Sequence, residues 1–179
     1  MTAPDWLFAQ VAREREAAPP LRPSSALSGA DGIEEPMRAA GAMTSAGVMR
    51  GLLVHQLLQS LPPIAEEQRA AAAQRYLRAQ APGMGLDACA ALTQEVLNAL
   101  ALAEAAPLFA ASSRAEVTIA ARITLSGKSP IEIAGRIDRL AEVGAEVWIA
   151  DFKTGAPPEK TPPSYVAKLA LYGAAVREL

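Results

Sequence analysis

The stretch from Gly135 to Gly155, GRIDRLAEVGAEVWIADFKTG, constrains the fold of this chain more than any other. Two short apolar runs flank the turn signal Gly144-Ala145, and this pattern predicts an antiparallel hairpin. Asp138 lies near the end of the first run, and the second run ends in Asp151-Phe152-Lys153. The hairpin therefore brings one acidic residue near an acid–x–lysine sequence on the neighbouring strand.

The spacing of apolar residues changes along the chain and predicts an α+β fold with a small, mainly antiparallel sheet flanked by helices. Helices are predicted over residues 4–17, 45–61, 64–80 and 86–105, strands over 115–125, 131–140 and 147–151, and a last helix from Ser164 onward. Residues 18–45 are rich in Pro, Ser, Gly and Ala and predict a linker or draped segment.

These elements divide the chain into residues 1–45, an N-terminal helix and linker, and residues 46–179, a single domain. Three strands are few for a stable open sheet. We therefore expect further strands to follow Leu179, so that the domain is truncated at its C-terminus.

Composition excludes several classes of protein. The net charge is −2, so any contact with DNA must come from a local basic patch. Cys89 is the only cysteine, which excludes a disulfide framework and a four-cysteine iron–sulfur cluster within the chain and fits the reducing cytoplasm. No run approaches the ~18 apolar residues of a membrane span. The N-terminal residues do not resemble a secretory signal.

The acidic residues of the hairpin predict a site for a divalent metal. Asp151 and Lys153 are two apart in the predicted strand and point to the same face, and Asp138 can approach Asp151 across the hairpin. Two carboxylates repel each other unless a cation joins them, and oxygen ligands suit Mg²⁺. Lys153 would orient the attacking water and stabilise the pentacovalent state of a phosphate. The alternative is an exposed strand end with ordinary solvated charges.

Residues elsewhere in the chain have two interpretations each. His55, the only histidine, is either a metal ligand or a packed or capping side chain. Glu116 either lines the same cleft or is an edge residue. Tyr165, Lys168 and Tyr172 lie on the last helix, where Lys168 and Tyr172 are four apart and share a face. These two either contact a DNA backbone or brace the metal site, or they are a solvated lysine and a half-buried tyrosine.

Gly127-Lys128-Ser129 imitates part of a phosphate-binding loop. A phosphate-binding loop needs glycine at position 122, where this chain has Arg122. It also connects a strand to a helix, whereas Gly127-Lys128-Ser129 connects two predicted strands. We therefore expect no ATP site in this chain.

Four segments, RGLLVHQLLQSLP, GRIDRL, VWIADFKTG and YVAKLALY, together resemble the RecB-type nuclease domain of the PD-(D/E)xK superfamily. The resemblance extends over residues 20–179 and is closest to the C-terminal nuclease domain of AddA-type helicase–nuclease subunits. It implies a restriction-endonuclease-like core and DNA cleavage, of the exonuclease type, that depends on Mg²⁺, for which Mn²⁺ can substitute.

The resemblance also implies a role for each matching residue. The implied metal ligands are His55, Asp138, Asp151 and the carbonyl of Phe152, and Lys153 is the implied catalytic lysine, acting with the two aspartates. Tyr172 matches the tyrosine of the family's Q-x-x-x-Y motif, but Lys168 occupies the position where glutamine is usual. A lysine keeps hydrogen-bond donors and loses the amide acceptor, so a phosphate contact survives this change more easily than an amide-bridged network.

The implied partners are single-stranded DNA ends, the helicase part of AddA and an AddB-like subunit. In such a complex the domain would trim strands that leave the helicase during double-strand break repair. The alternative is a DNA-clamping or subunit-docking module of the same complex with little or no cleavage, which Lys168 in the glutamine position favours.

Overall fold

The computed structural model describes residues 19–23, 45–124, 127 and 129–179. Several predicted features lie outside the described residues: the helix over residues 4–17, most of the predicted linker, Leu125 at the end of the first predicted strand and Lys128 of the following turn.

The described residues confirm an α+β fold with a small antiparallel sheet flanked by helices, as expected for a restriction-endonuclease-like core. The elements in chain order are α1 (Ser45–Ser60), α2 (Glu66–Gln80), α3 (Leu86–Leu100), a 3-10 turn (Ala103–Ala105), α4 (Ala106–Phe109), β1 (Arg114–Ile123), β2 (Ile131–Val143), β3 (Glu146–Ala150) and α5 (Pro163–Arg177).

The end of α3 differs from the prediction. The helix stops at Leu100 rather than Ala105, and Pro107 lies in the first turn of α4 instead of closing the longer helix. Proline lacks a backbone N–H and has a fixed φ, so it is compatible with the first turn of a helix. Across the described ranges no single helix is long and apolar enough to span a membrane. Only α3 taken together with Ala103–Phe109 reaches the length and composition of a span, and this pair is bent by 66°.

The sheet has the order β1-β2-β3, with β2 in the centre. The register places Val117 opposite Ile137 and Leu140 opposite Ile149. Asp151 and Lys153 follow the end of β3 rather than lying within the strand, which corrects the prediction. The reason is that the backbone N–H of Phe152 donates to the side chain of Asp138, at 2.7 Å, instead of continuing the ladder.

Part of the predicted linker packs on the sheet. The N–H of Leu21 donates to the carbonyl of Glu132 at 2.7 Å, and its carbonyl accepts from the N–H of Ala134 at 3.1 Å. These bonds form a parallel bridge to Ile133, in the part of β2 that β3 does not reach. Pro23 is fully buried. Residues 19–23 therefore fit the draped alternative rather than a free linker.

Among the described residues, apolar side chains form two clusters. One joins α1, α2 and α3 and includes Leu57, Leu77 and Val96. The other lies between the sheet and α5 and includes Ile137 and Tyr172. Residues at the boundary between the helices and the sheet carry the polar side chains described next.

Candidate active site

Three side chains of metal-ligand type converge from three elements. His55 comes from α1, Glu116 from β1 and Asp138 from β2. One ligand atom of each lies within 4.8 Å of the others, and Nδ1 of His55 is 3.6 Å from Oδ2 of Asp138. All three residues are half-buried. Two carboxylates and an imidazole at this separation fit a divalent cation.

Aromatic contacts set the orientation of His55. Its ring meets the ring of Phe152 edge-on, with centroids 5.9 Å apart, and Phe152 stacks on Phe109 at 6.0 Å. The neighbouring Leu57 and Leu58 are buried, so the apolar face of α1 fixes the helix against the core. The packing therefore turns the imidazole towards Asp138 while leaving the side chain about a third exposed.

Glu116 has a backbone conformation that glutamate rarely adopts. Its φ is 54°, and within the described ranges no other non-glycine residue has a positive φ. The pairs Ala115↔Arg139 and Val117↔Ile137 place it directly opposite Asp138. Like charges in facing positions of two strands destabilise a sheet. A bound cation would offset this repulsion. Strained residues also cluster at functional sites, so the facing charges and the backbone conformation of Glu116 both fit a metal-binding role.

One side chain already offsets part of the negative charge at Glu116. Nε of Arg136 lies 2.8 Å from Oε2 of Glu116, although the side chain of Arg136 is mostly exposed. The sequence analysis missed this residue. Arg136 is two positions before Asp138 in β2 and so shares its face, which is the signal that could have identified it.

Asp138 joins β2 to the segment after β3. Its Oδ2 accepts the hydrogen bond from the N–H of Phe152 and lies near His55. The carboxylate therefore positions Phe152, which in turn contacts the imidazole. The role implied for the carbonyl of Phe152 remains a prediction.

Asp151 is held by two lysines. Its Oδ1 is 2.6 Å from Nζ of Lys168, and its Oδ2 forms an ion pair with Lys153. Burial by itself would raise the pKa of Asp151, but hydrogen bonds and charge from Lys153 and Lys168 together outweigh burial and hold the pKa below its usual value. Asp151 is thus ionised at neutral pH. It is not part of the group formed by His55, Glu116 and Asp138, and its predicted role as a metal ligand remains a prediction.

Lys168 and Tyr172 brace this carboxylate. The ammonium of Lys168 lies 5.8 Å from the ring centroid of Tyr172, and Tyr172 is only 1% exposed. Burial raises the pKa of Tyr172, and its hydroxyl forms a hydrogen bond with the backbone of Arg136. The interpretation as a solvated lysine and a half-buried tyrosine is therefore wrong for this pair. Tyr165 differs, because it is half-buried and its ring lies 5.2 Å from Nζ of Lys153.

Two open cavities border the site, and His55 and Asp138 line both. The larger, of about 870 Å³, is also lined by Asp151, Lys153 and Lys168 and by the loop that follows them. The smaller, of about 500 Å³, is also lined by Glu116 and Arg136. An extended substrate could thus occupy space on both sides of the three converging side chains.

The sequence profile of the PD-(D/E)XK nuclease superfamily matches residues 27–179. The chain belongs to this superfamily. No curated protein sequence matches it significantly. The superfamily membership predicted from the four segments is confirmed, and the narrower RecB-type and AddA-type assignment remains a prediction.

Members of the PD-(D/E)XK superfamily are typically nucleases that use divalent metals. Membership therefore indicates metal-dependent hydrolysis of phosphodiester bonds for this chain. The residues present fit such an ion, because an imidazole and two carboxylates each offer one ligand atom within 4.8 Å of the others. The exposed ammonium of Lys153 borders the same cavity.

Proposed function

We propose that this chain is a deoxyribonuclease whose metal ion is held by His55, Glu116 and Asp138. The observation that carries the proposal is the convergence of these three side chains within 4.8 Å, beside Lys153. A divalent ion supplies positive charge to a phosphate and lowers the pKa of a water molecule. Carboxylate ligands favour Mg²⁺, and the imidazole makes Mn²⁺ a suitable substitute.

Lys153 is the proposed catalytic lysine. Its side chain is 43% exposed, so the ammonium is free to move between Asp151 and a substrate in the cavity. There it would donate hydrogen bonds to the attacking water or to a phosphate oxygen and stabilise the negative charge that develops. Asp151 holds the ammonium at the edge of the cavity in the absence of substrate.

The proposed substrate is a single-stranded DNA end. The overall charge of −2 does not attract nucleic acid, but Arg136 and Arg50 place guanidinium groups at the two cavities that meet at Asp138. Each of them also forms an ion pair with one glutamate, Arg136 with Glu116 and Arg50 with Glu95. On the basis of the four segments that resemble AddA-type proteins, we further propose that the domain works in the cytoplasm with a helicase motor and an AddB-like subunit in double-strand break repair.

A second candidate is a DNA clamp with weak or no cleavage. The contact of Lys168 with Asp151 favours it, because a carboxylate that is neutralised by two lysines attracts a metal ion less strongly. In this case the same cavities would bind the DNA backbone without hydrolysing it.

Cleavage of end-labelled single-stranded DNA distinguishes the two candidates. We expect cleavage with Mg²⁺ or Mn²⁺, none with EDTA, and none by the Asp138→Asn and Asp151→Ala variants. Glu159→Gln is the matched control for charge, because Glu159 is an exposed acidic residue of the loop before α5 and the change should leave cleavage unchanged. Binding of DNA without cleavage in either metal would favour the clamp, and the absence of both would contradict both candidates.

Metal affinity separates the role of Lys153 from that of the ligands. We expect Lys153→Ala to bind the ion at least as tightly as the wild type, since a lysine is not a ligand and its charge opposes that of the ion. The variant should lose cleavage by roughly 100-fold or more. Asp138→Asn should weaken ion binding directly. Calorimetric titration with Mn²⁺ measures both, and loss of ion affinity in Lys153→Ala would show that its role has been misassigned.

A further inference from the structure

The smaller of the two cavities at the site has an apolar wall. Val48 and Leu52 of α1, one helical turn apart, both line it. Val48 is 45% exposed and Leu52 is 62% exposed. A single exposed leucine needs no explanation, but these two side chains border the same cavity as His55 and Asp138. Apolar surface therefore faces solvent directly beside the proposed metal ligands.

Two amide side chains continue this wall along α1. Gln56 and Gln59 follow Leu52 at helical spacing, and both line the cavity. Nε2 of Gln56 donates to Oε1 of Gln59 at 3.2 Å, so the two amides are held together. Each amide carries further donor and acceptor capacity besides this bond. The pair can therefore offer a donor and an acceptor side by side to a ligand in the cavity.

A guanidinium borders the same space. Arg136 lines the cavity, and its side chain is 67% exposed. Its Nε contacts Glu116, but a guanidinium has several other N–H donors, which can bind a phosphate oxygen at the same time. The cavity thus combines apolar surface, paired amides and a cation.

The parts of a nucleotide match these three kinds of group. A base has apolar faces and a hydrogen-bonding edge, and its phosphate is an anion. The volume of the cavity, about 500 Å³, lies in the range of sites for small ligands. The bases of a single strand are unpaired, so both their faces and their edges are accessible to such a wall.

We propose that the smaller cavity is a subsite for one nucleobase of a DNA single strand. The face of the base lies against Val48 and Leu52, its edge bonds to the amides of Gln56 and Gln59, and Arg136 contacts a phosphate. The proposal rests on the proposed function, because the strand reaches this cavity only if a neighbouring phosphate lies at His55 and Asp138. These last two residues then act on the phosphate, while the stripe on α1 selects the base.

A cycle of binding measurements on the whole chain tests the contact between Leu52 and a base. Fluorescence anisotropy compares oligo(dT) with a strand of the same length that lacks every base, in Mg²⁺ and in the Lys153→Ala background, so that both strands stay intact. We expect Leu52→Ser to weaken binding of oligo(dT) by on the order of fivefold and to leave binding of the base-free strand unchanged. Leu86→Ser is the control, because Leu86 of α3 is 76% exposed and lines neither cavity, and it should weaken neither complex.

The ratio of affinities for oligo(dC) and oligo(dT) tests the amides. The two bases present different donors and acceptors, so we expect the chain to distinguish them and Gln56→Leu to bring the ratio closer to one. Gln94→Leu is the matched control and should keep the ratio, because it removes a similar amide pair, Gln94 with Asn98 at 2.8 Å, from α3.

The outcomes separate the subsite from the proposed nuclease. No loss for oligo(dT) in Leu52→Ser, or an equal loss for the base-free strand, would overturn the subsite and leave the nuclease standing. A ratio that Gln56→Leu does not change would overturn the role of the amides. Failure of both the wild type and the Lys153→Ala variant to bind either strand would overturn the subsite and the proposed function together.

Discussion

At the scale of single residues, the close approach of Gly135 to Tyr172 places the polar groups of α5 at the site. Glycine is the residue that leaves room for the aromatic ring, since any Cβ at this position would overlap it. The ring supports the ammonium of Lys168, and the ammonium contacts Asp151. One missing side chain in β2 thus determines where a charge of α5 lies.

Gly135→Ala should therefore destabilise the fold. The added Cβ forces the buried Tyr172 to shift, and overpacking of this kind costs about 1–3 kcal/mol of unfolding free energy. Urea denaturation followed by circular dichroism measures the change. Gly173→Ala in α5 is the control, because nothing lies within 4 Å of its Cβ, and it should leave stability unchanged or raise it by about 1 kcal/mol. Equal stability of the two variants would contradict the packing argument.

The sequence indicated some site residues better than others. Asp138, Asp151 and Lys153 follow from a hairpin whose turn lies between them, so local spacing was sufficient to bring them to one region. Glu116 remained uncertain because its position opposite Asp138 depends on the register of β1, which spacing does not determine. The pairing of Lys168 with Asp151 joins residues 17 apart through the packing of a helix, which no local pattern reports.

At the scale of elements, Arg139 ties the end of α1 to the sheet. Its guanidinium donates to the carbonyls of Leu58 and Gln59, at 2.9 and 3.3 Å, and to the hydroxyl of Ser113 at 3.0 Å. Those carbonyls belong to the last turn of α1 and would otherwise lack helical partners. Burial lowers the pKa of Arg139, which nevertheless remains charged. The contact fixes the helix that carries His55 relative to the strand that carries Asp138.

Arg139→Met should destabilise the chain by roughly 2–4 kcal/mol, because it leaves buried carbonyls at the end of α1 without donors. Denaturant unfolding measures this loss. The control is Arg122→Met, which removes an ion pair with Glu132 in which Arg122 is 72% exposed, and its effect should stay within about 0.5 kcal/mol. A loss no greater than that of the control would show that Arg139 does not hold α1 in place.

The order of elements was predictable where the chain carries strong local signals. Pro62-Pro63 marks the end of α1, and Gly144-Ala145 marks the turn between β2 and β3. Pro107 was predicted to close a helix but lies in the first turn of the next one. Proline is common both just after a helix and in its first turn, and only the surrounding fold decides between these positions. A draped segment was one of two alternatives for residues 18–45, but the bridge of Leu21 to β2 was not predicted, because a single extended residue has no period to detect.

At the scale of the whole molecule, the three converging side chains lie between two apolar clusters. His55 belongs to a helix of the cluster formed by α1, α2 and α3, whereas Glu116 and Asp138 belong to the sheet that packs on α5. An ion bound by all three would therefore connect the two parts of the molecule and oppose their separation on unfolding. This coupling gives the proposed metal site a consequence for stability that does not depend on a substrate.

Divalent metal should raise the melting temperature of the wild-type chain. Binding to the folded state at an ion concentration 100 times the dissociation constant adds about 2.7 kcal/mol, which for a chain of this size corresponds to a rise of about 5–11 °C. Thermal melts in EDTA and in increasing Mn²⁺, at constant ionic strength, measure the shift. Asp138→Asn should show almost none of it, because the variant loses a carboxylate that faces both other ligands. An equal rise in the variant would mean that the ion acts elsewhere on the chain, and no rise in the wild type would remove the physical basis for a metal shared between helix and sheet.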